Sequence, residues 1–454
     1  MDPAEAKRKA PDGGWGWFVC LGSSLITLSL RSLDPSFGLL FHDPLEELDI
    51  DSTGTSLIMS ILDAIVNFSG LLIGPLLKKY SYRKVAFFGS LLSCTGLILT
   101  SRANSMFHII CTYSILCGLG TGLAIASSFV ALNTFFDKKR GQAVGFSMAG
   151  TTLAMMLVPQ LIHLLLDAYG FRGAMLIVGG WALHSTVGAC LLRPIEIKKT
   201  KPAKKGANNS SEIDTLLQKN TNGVIKNIGN GIDDVKNDNA KNERKDEPKE
   251  KLKNEFLEKI KETFDFDLLK DSVYLNVIIG SSLYYVAESN FKLMTPFFLA
   301  SIGMNKVEIA SCLSITAFTD ILARLLLPTI FDRLGFKKRT VFWVFCILVG
   351  IGRSRFLRGA TLVNLNLSVS ECCSLKKLPS AFGMFMVSKG LFVVIMSPLI
   401  GYIRDSSKSY TICIHVMTLM ITITFITWGV EFMYQMREKR RSVLAKEAQS
   451  QVIE

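Results

Sequence analysis

The sequence has few histidines and no paired-cysteine motif, so it lacks the ligand sets that usually hold a metal ion. Its five histidines are scattered, and none of its ten cysteines forms a C-x-x-C spacing. The cysteines lie in or beside apolar segments, where we expect them to pack as small hydrophobic side chains rather than to form disulfides or bind a metal. The sequence therefore predicts that the protein holds no metal or cofactor and is not an enzyme.

Long stretches of the sequence also lack charge, although 20% of all residues are charged. Apolar runs recur along the chain, and about 20 apolar residues are enough for a helix to cross the hydrocarbon core of a bilayer. A strand with open edges cannot satisfy its backbone in lipid, so each run predicts a helix. We expect an all-α polytopic membrane protein with spans near residues 17–41, 55–77, 85–101, 107–134, 143–167, 174–193, 273–300, 307–331, 381–403 and 411–434, and a further pair between 340 and 371.

The net charge of +13 is spread unevenly. Lysine and arginine cluster in alternate loops, at residues 78–84, 137–140, 196–261, 332–339 and 437–441. Cytoplasmic loops of membrane proteins carry such an excess of basic residues. The pattern predicts cytoplasmic termini and a cytoplasmic central loop, and it accounts for the charge without a nucleic-acid partner. The first apolar run lacks a small-residue cleavage pattern, so we expect a membrane span there rather than a signal peptide.

The central loop divides the chain into two halves. Residues 196–268 are rich in Lys, Asn, Asp and Gly and poor in aromatic residues, a composition that cannot bury enough apolar surface to fold alone. We expect a cytoplasmic N-terminus at 1–16, a six-helix bundle at 17–195, a disordered linker at 196–268, a second bundle at 269–434 and a cytoplasmic tail at 435–454.

Short motifs at the ends of the predicted spans resemble those of the monocarboxylate transporter family, a branch of the major facilitator superfamily. They are "PDGGWGW" (11–17), "FFDKKRGQAVGFSMAG" (135–150) and "GFRGAMLIVGG" (170–180). The stretch 332–337 also follows the superfamily pattern D-R-x-G-x-K between two spans, whereas the corresponding stretch of the first half has Lys78 in place of the acid. The two family signatures rest on Asp12, Gly13, Gly14, Trp15, Gly16, Trp17, Lys139 and Arg140.

The resemblance implies a major facilitator fold with two six-helix bundles, in a plasma-membrane secondary transporter. It also implies a single-span immunoglobulin-type chaperone as a possible partner. In physical terms, Asp12 precedes the first predicted helix, whose exposed N–H groups favour an anion, and the two tryptophans suit the membrane interface.

Two charges inside the eighth span are the leading candidates for chemistry, because charge is costly in hydrocarbon. Asp320 and Arg324 are four residues apart and share a helix face. One interpretation is that they only neutralise each other and hold the helix in place. The resemblance implies instead that this Asp-x-x-x-Arg pair binds a proton and substrate. Arg324 would hold a carboxylate by two parallel hydrogen bonds, and protonation of Asp320 would release the guanidinium for it.

The first span departs from the proton-coupled members of that family. Aligned from the tryptophan signature, their substrate lysine falls at Pro35, and Asp34 precedes it. Arg31 lies one turn earlier on the same face, where it either replaces the lysine or pairs with Asp34. Asn364 and Glu371 are further candidates for substrate binding in the second half.

The ninth and tenth spans are short of residues. Residues 338–376 must carry both of them, whereas two full spans alone need about 40 residues. We expect a shortened or partly re-entrant hairpin at 340–371 with Arg353, Arg355 and Arg358 near its tip, the competing arrangement being one long helix. The resemblance implies proton-coupled symport of a small monocarboxylate such as lactate or pyruvate. The alternatives are a proton-independent facilitator of an amino acid, creatine or other zwitterion, and a non-transporting isoform or interaction protein.

Overall fold

A computed structural model describes residues 11–31, 33, 36–50, 52–194, 265–352 and 355–453 of the chain. Every regular element in these ranges is helical, as predicted. The predicted linker lies outside the described residues up to position 264, so its disorder stays a prediction.

The described residues of the first half form ten α-helices, with a π-helical stretch Ile110–Cys117 between the seventh and eighth. They are α1 Gly16–Leu30, α2 Phe37–Leu40, α3 His42–Glu47, α4 Ser52–Phe68, α5 Gly70–Lys79, α6 Tyr82–Thr100, α7 Met106–Ile109, α8 Gly118–Phe135, α9 Arg140–Ala182 and α10 His184–Leu191.

From residue 265 onward, the part of the second half that the structure describes contains a 3-10 turn at Phe266–Lys270 and then six α-helices. They are α11 Ser272–Ser301, α12 Lys306–Leu334, α13 Lys338–Gly352, α14 Arg355–Glu371, α15 Leu378–Ser407 and α16 Tyr410–Ile453.

Side chains fix several helix ends. The Asp271 carboxylate accepts the Val273 N–H at the start of α11. Asn305 and Glu308 form a reciprocal capping box at the start of α12, which satisfies backbone donors that have no partner within the helix. The same helix ends at Gly335, whose φ of 69° suits a residue without a Cβ.

The first apolar run is not one continuous helix, in contrast to the single span expected over 17–41. Helix α1 ends at Leu30, and the backbone N–H of Arg31 closes its last turn on Thr27. The chain then continues in the two short helices α2 and α3. The sequence has a proline five residues after Leu30, and a proline removes a helical N–H and disfavours helix in the residue before it.

The fifth and sixth predicted spans correspond to two helical segments that meet at Gly170 within Arg140–Ala182, and the second segment is followed by α10. This glycine has a φ of 61°, which a residue with a side chain rarely adopts. The two predicted spans, 143–167 and 174–193, lie on either side of the bend. Among the described residues, seven helical stretches are long and apolar enough to cross a membrane, and α9 with α10 counts as one of them.

Glycines bring the two halves into backbone contact at two crossings. A Cβ on Gly145 of α9 would collide with the Arg324 carbonyl oxygen of α12. At the second crossing, Gly70 of α5 and Gly383 of α15 each face the other's carbonyl oxygen. Small residues of this kind let membrane helices pack with their backbones close together.

The region of the predicted short hairpin contains two helices that pack against each other. Helix α13 has 15 residues and α14 has 17. At a rise of 1.5 Å per residue they are about 22 and 25 Å long, less than the roughly 30 Å of a hydrocarbon core. Arg353 and the side chains of Arg355 and Arg358 lie outside the described part, so the arginine tip stays a prediction.

Candidate functional site

Asp320 and Arg324 lie on one face of α12 and are buried, with 3% and 6% of their surfaces exposed. The guanidinium approaches one carboxylate oxygen twice, since Nε and Nη2 of Arg324 are 3.0 and 2.9 Å from Asp320 Oδ2. The spacing of four residues thus produces the ion pair that the sequence predicts. Burial of both charges is tolerable because each neutralises the other and both form further hydrogen bonds.

Those further hydrogen bonds come from α9 in the other half of the chain. Thr152 donates its hydroxyl to Asp320 Oδ2 at 3.2 Å, and Arg324 donates from Nη1 to the Met148 carbonyl at 3.2 Å. The other carboxylate oxygen, Asp320 Oδ1, is buried and has no hydrogen-bond partner among the described residues. The pair therefore bridges both halves and leaves one oxygen that can accept a proton.

A further charged group lies within α15. Lys389 is partly buried, and its Nζ lies 4.6 Å from the ring centre of Phe385 and 4.9 Å from that of Tyr285. The Tyr285 hydroxyl donates to Asp63 Oδ1 of α4 at 3.5 Å. Sequence reasoning missed Lys389, although a lysine within an apolar span is a signal in itself.

Polar residues on α11 and α14 complete the surroundings of the buried ion pair. Lys292 places its Nζ 3.2 Å from the Met155 sulfur, and the Asn366 amide nitrogen lies 3.7 Å from the Met148 sulfur. Because Met148 and Thr152 contact the ion pair, and Met155 follows one turn later on α9, this face of α9 touches both α11 and α14 near the pair.

The remaining substrate-binding candidates of the sequence lie in different surroundings. Asn364 is buried within α14, with 1% of its surface exposed. Glu371 accepts the backbone N–H groups of Lys338 and Arg339 at 2.8 and 3.0 Å, so its carboxylate caps the start of α13. Arg31 follows the last residue of α1, and Asp34 lies outside the described residues.

The two family signatures meet in space. The Asp12 carboxylate accepts the N–H groups of Asp137, Lys138 and Lys139, at 2.8, 2.9 and 3.3 Å, immediately before α9. The sequence predicts the Asp12 carboxylate at the start of its own helix, α1, whereas in the structure it binds the chain just before α9. The reason is that α1 begins inside a tight turn, whereas the chain before α9 presents three adjacent N–H groups.

Aromatic and basic side chains join the same contact. The Phe136 ring packs on Trp17 at 5.3 Å between ring centres and closes on Gly16, where a Cβ would lie 2.9 Å from the ring. Trp15 donates its indole N–H to the Leu191 carbonyl at 3.3 Å.

Lys139 lies over the Trp17 ring at 6.0 Å, and the Arg140 guanidinium reaches Ser370 of α14 at 3.5 Å. The signatures therefore hold helix ends together, away from the buried ion pair.

Comparison with known proteins defines the class of the chain. The model of the Major Facilitator Superfamily matches residues 17–354. The chain belongs to the major facilitator superfamily. It is similar to monocarboxylate transporter 4 of Gallus gallus, with 24% identity over 99% of this chain and 89% of that protein. It is also similar to monocarboxylate transporter 12 of Homo sapiens, with 23% identity over 96% of this chain and 84% of that protein.

Solved structures show the same fold. The human organic anion transporter MFSD10 (TETRAN) matches with a TM-score of 0.56 and 14% identity, over 91% of this chain and 98% of that one. The proton:xylose symporter XylE matches with a TM-score of 0.60 and 12% identity, over 91% and 94% of the two chains. The predicted resemblance and fold class are confirmed. The chain is a multi-pass membrane transporter for a small molecule, and not an enzyme.

Proposed function

We propose that the chain is a secondary active transporter that moves a small monocarboxylate together with a proton. The observation that carries this proposal is the state of the Asp320 carboxylate. One of its oxygens accepts hydrogen bonds from Arg324 and Thr152, and the other is buried without a hydrogen bond from any residue that the structure describes. Such a carboxylate can take up a proton without first breaking its existing contacts.

The proton and the anion are linked through Arg324. While Asp320 is ionised, it occupies two of the guanidinium donors. Protonation removes the charge that holds them, and the planar guanidinium can then bind a substrate carboxylate by two parallel hydrogen bonds. Anion and proton cross together with no net charge, so transport follows the pH and substrate gradients rather than the voltage.

Uptake of labelled L-lactate and pyruvate by cells that express the full chain, at acidic and neutral external pH, tests this proposal. We expect faster uptake at acidic external pH. Asp320→Asn should abolish this proton-driven uptake, and Arg324→Lys should abolish it too, because lysine lacks the planar fork. Surface labelling must show each variant at the plasma membrane. Arg404→Lys is the matched control, because Arg404 forms an exposed ion pair with Asp405 away from the site.

The same assay separates the alternatives. Uptake of creatine or an aromatic amino acid that does not depend on pH would overturn the proton-coupled proposal in favour of a facilitator. Normal surface expression with no uptake of any of these compounds would favour a non-transporting protein, for which the short helices α13 and α14 are the structural argument. Full activity of either site variant would remove the ion pair from the mechanism.

We also propose a plasma-membrane location with both termini in the cytoplasm, and assembly with a single-span immunoglobulin-type chaperone. The basic clusters in alternate loops support the orientation, and the named relatives support the family setting. A C-terminal epitope tag should stain only after cells are permeabilised. Staining of intact cells would contradict this topology. Co-purification with such a chaperone from the surface would support the partner.

A further inference from the structure

Thr152 of α9 uses its hydroxyl differently from other threonines within helices of this chain. Inside a helix, a threonine hydroxyl commonly donates to a carbonyl one turn earlier. Thr295, Thr329 and Thr422 do so at 2.6, 2.9 and 2.9 Å. The buried Thr152 instead donates to Asp320 of the other half, at 3.2 Å. A hydroxyl has a single proton to donate, so Thr152 serves either Asp320 or its own helix, and not both.

The carbonyl that Thr152 would otherwise bind is occupied by the ion pair itself. Met148 lies four residues before Thr152, the spacing at which a threonine reaches a carbonyl of its own helix. In the structure, the Met148 carbonyl accepts Nη1 of Arg324 at 3.2 Å. Two hydrogen bonds therefore cross between the halves in opposite directions, one from Thr152 to Asp320 and one from Arg324 to Met148.

The backbone of α12 lacks a helical hydrogen bond at the same place. Pro328 has no N–H, so the Arg324 carbonyl four residues earlier loses the donor that would normally bind it. That carbonyl faces Gly145 of α9, where a Cβ would collide with it. The two backbones touch there by close packing, whereas Thr152 and Arg324 add directional hydrogen bonds to the crossing of α9 on α12.

Both crossing hydrogen bonds depend on the charge of Asp320, because hydrogen bonds to ionised groups are about twice as strong as those between neutral groups. Arg324 is its ion-pair partner on α12. Helices α9, α11 and α14 pack against α12. Residues 141–162 of α9 and 359–370 of α14 contain no ionisable side chain, and the middle of α11 carries Glu288 and Lys292. A change at Thr152 leaves all these charges in place.

We propose that Thr152 is a positioning residue that couples proton binding at Asp320 to the release of α9 from α12. This inference rests on the proposed function and assigns a residue to its coupling step. A proton adds to Asp320 Oδ1, and a substrate carboxylate takes the donors of Arg324. The Thr152 hydroxyl then turns to the vacated Met148 carbonyl, so α9 separates with neither group left unpaired. In the empty, ionised site the same hydroxyl holds the crossing closed.

Thr152→Val tests this role, because valine has a similar shape and no hydroxyl. Uptake of labelled L-lactate by cells that express the full chain is measured at acidic and neutral external pH and corrected for surface protein. Without the hydroxyl, closure of the crossing depends less on the charge of Asp320. The ratio of uptake at acidic pH to uptake at neutral pH should therefore fall about fivefold. A purely structural defect would lower uptake at both pH values in proportion.

Thr152→Ser keeps the donor and should keep the ratio, whereas Thr152→Ala should lower it as valine does. Thr151→Val is the matched control, since Thr151 is the next residue of α9 and points about 100° away around the helix. It should keep the ratio. A normal ratio in Thr152→Val would overturn the role of Thr152 and leave the proposed function standing. No acid-stimulated uptake by the unchanged protein would overturn both.

Thermal unfolding of the purified full chain in detergent tests the dependence on charge without any substrate. Thr152→Val is compared in the unchanged chain and in Asp320→Asn, as a double-mutant cycle. The hydroxyl should stabilise the chain more when residue 320 is charged, so the fall in unfolding temperature should be smaller in the Asp320→Asn background. Equal falls in both backgrounds would show that the contact does not respond to charge and would overturn the coupling role.

Discussion

Two carboxylates, Asp332 and Asp265, connect the halves of the chain in a similar way but come from different parts of the sequence. Asp332 belongs to the superfamily motif at the end of α12. Its carboxylate accepts the Gln142 N–H at 2.7 Å, in the first turn of α9, and pairs with Lys338. Gly141 leaves room for this approach, because a Cβ there would lie 2.7 Å from the Asp332 oxygen.

The equivalent place in the first half has no acid of its own. Lys78 stands where the motif calls for the carboxylate, and the chain supplies Asp265 instead, just before α11. Asp265 Oδ2 lies 2.7 Å from Lys78 Nζ and accepts the Ser380 hydroxyl, also at 2.7 Å, in the first turn of α15. Both arrangements thus combine a lysine, a carboxylate and the first turn of a helix from the other half.

The comparison shows that residues from different positions in the sequence can form the same pattern of charges. The first copy of this arrangement, Lys78 with Asp265, and the second copy, Lys338 with Asp332, differ in burial, however. The side chains of Asp332 and Lys338 are 5% and 11% exposed, whereas those of Asp265 and Lys78 are 20% and 35% exposed. Since an uncompensated charge is costlier when it is buried, we expect the loss of one partner to destabilise the chain more in the second copy than in the first.

The largest effect should follow from removing Asp332. In Asp332→Ala the nearly buried Lys338 loses its partner and the start of α9 loses an acceptor, a change that typically costs about 3–5 kcal/mol. Thermal unfolding of the purified full chain in detergent measures it. Asp405→Ala, which removes a carboxylate from an exposed pair, is the control and should change the unfolding temperature little. Equal unfolding temperatures for both variants would refute the difference in burial as the cause.

A smaller effect is expected at the glycine crossing beside the first copy. Gly70→Ala places a methyl group against the Gly383 carbonyl and 2.7 Å from the Met386 Cβ. Overpacking of this kind costs about 1–3 kcal/mol. Gly401→Ala on α15, where a Cβ has open space, should instead be neutral or stabilising. The unfolding temperature should fall in Gly70→Ala and should not fall in Gly401→Ala, and an equal fall in both would contradict the close crossing.

Exchange of the charges in the first copy sharpens the comparison further. Lys78→Asp alone places two carboxylates together and should destabilise the chain by about 1 kcal/mol or less, given the partial exposure of the pair. Adding Asp265→Lys restores opposite charges and puts the acid at the position it has in the second copy. The double variant should recover most of the loss in a double-mutant cycle. No recovery would show that Ser380, rather than Lys78, fixes Asp265.

The smallest effect is the dependence of the first copy on pH. Burial raises the pKa of Asp265, but hydrogen bonds from Lys78 and Ser380 outweigh burial and hold the pKa below its ordinary value. Because this pKa is lower in the folded than in the unfolded chain, the ionised carboxylate stabilises the folded chain at pH values above the unfolded pKa of about 3.9. This contribution is lost as the pH falls further. The difference in unfolding temperature between the unchanged protein and Asp265→Asn should be constant near neutral pH and shrink below about pH 4. A constant difference at all pH values would argue against the ion pair.

The sequence predicts those contacts that lie within one helix and misses those between distant ones. Asp320 and Arg324 are readable because a spacing of four residues places them together on any helix. Asp12 and Asp265 have partners from helices that are remote in the sequence, so neither contact follows from local pattern. Lys389 carries a readable signal, the charge itself, but its ring partner Tyr285 comes from α11. The sequence missed the end of α1 at Leu30 because apolar residues such as Leu33 and Phe37 follow closely after Arg31.

The contact of Asp12 with the start of α9 has a consequence for the order in which the protein is made. The three N–H groups that bind this carboxylate belong to residues 137–139, more than a hundred positions later in the chain. When the first span leaves the ribosome, its signature therefore has no partner. The N-terminal segment must wait through the synthesis of four spans before it can dock. The first bundle can consequently close only after translation has passed the beginning of the fifth span.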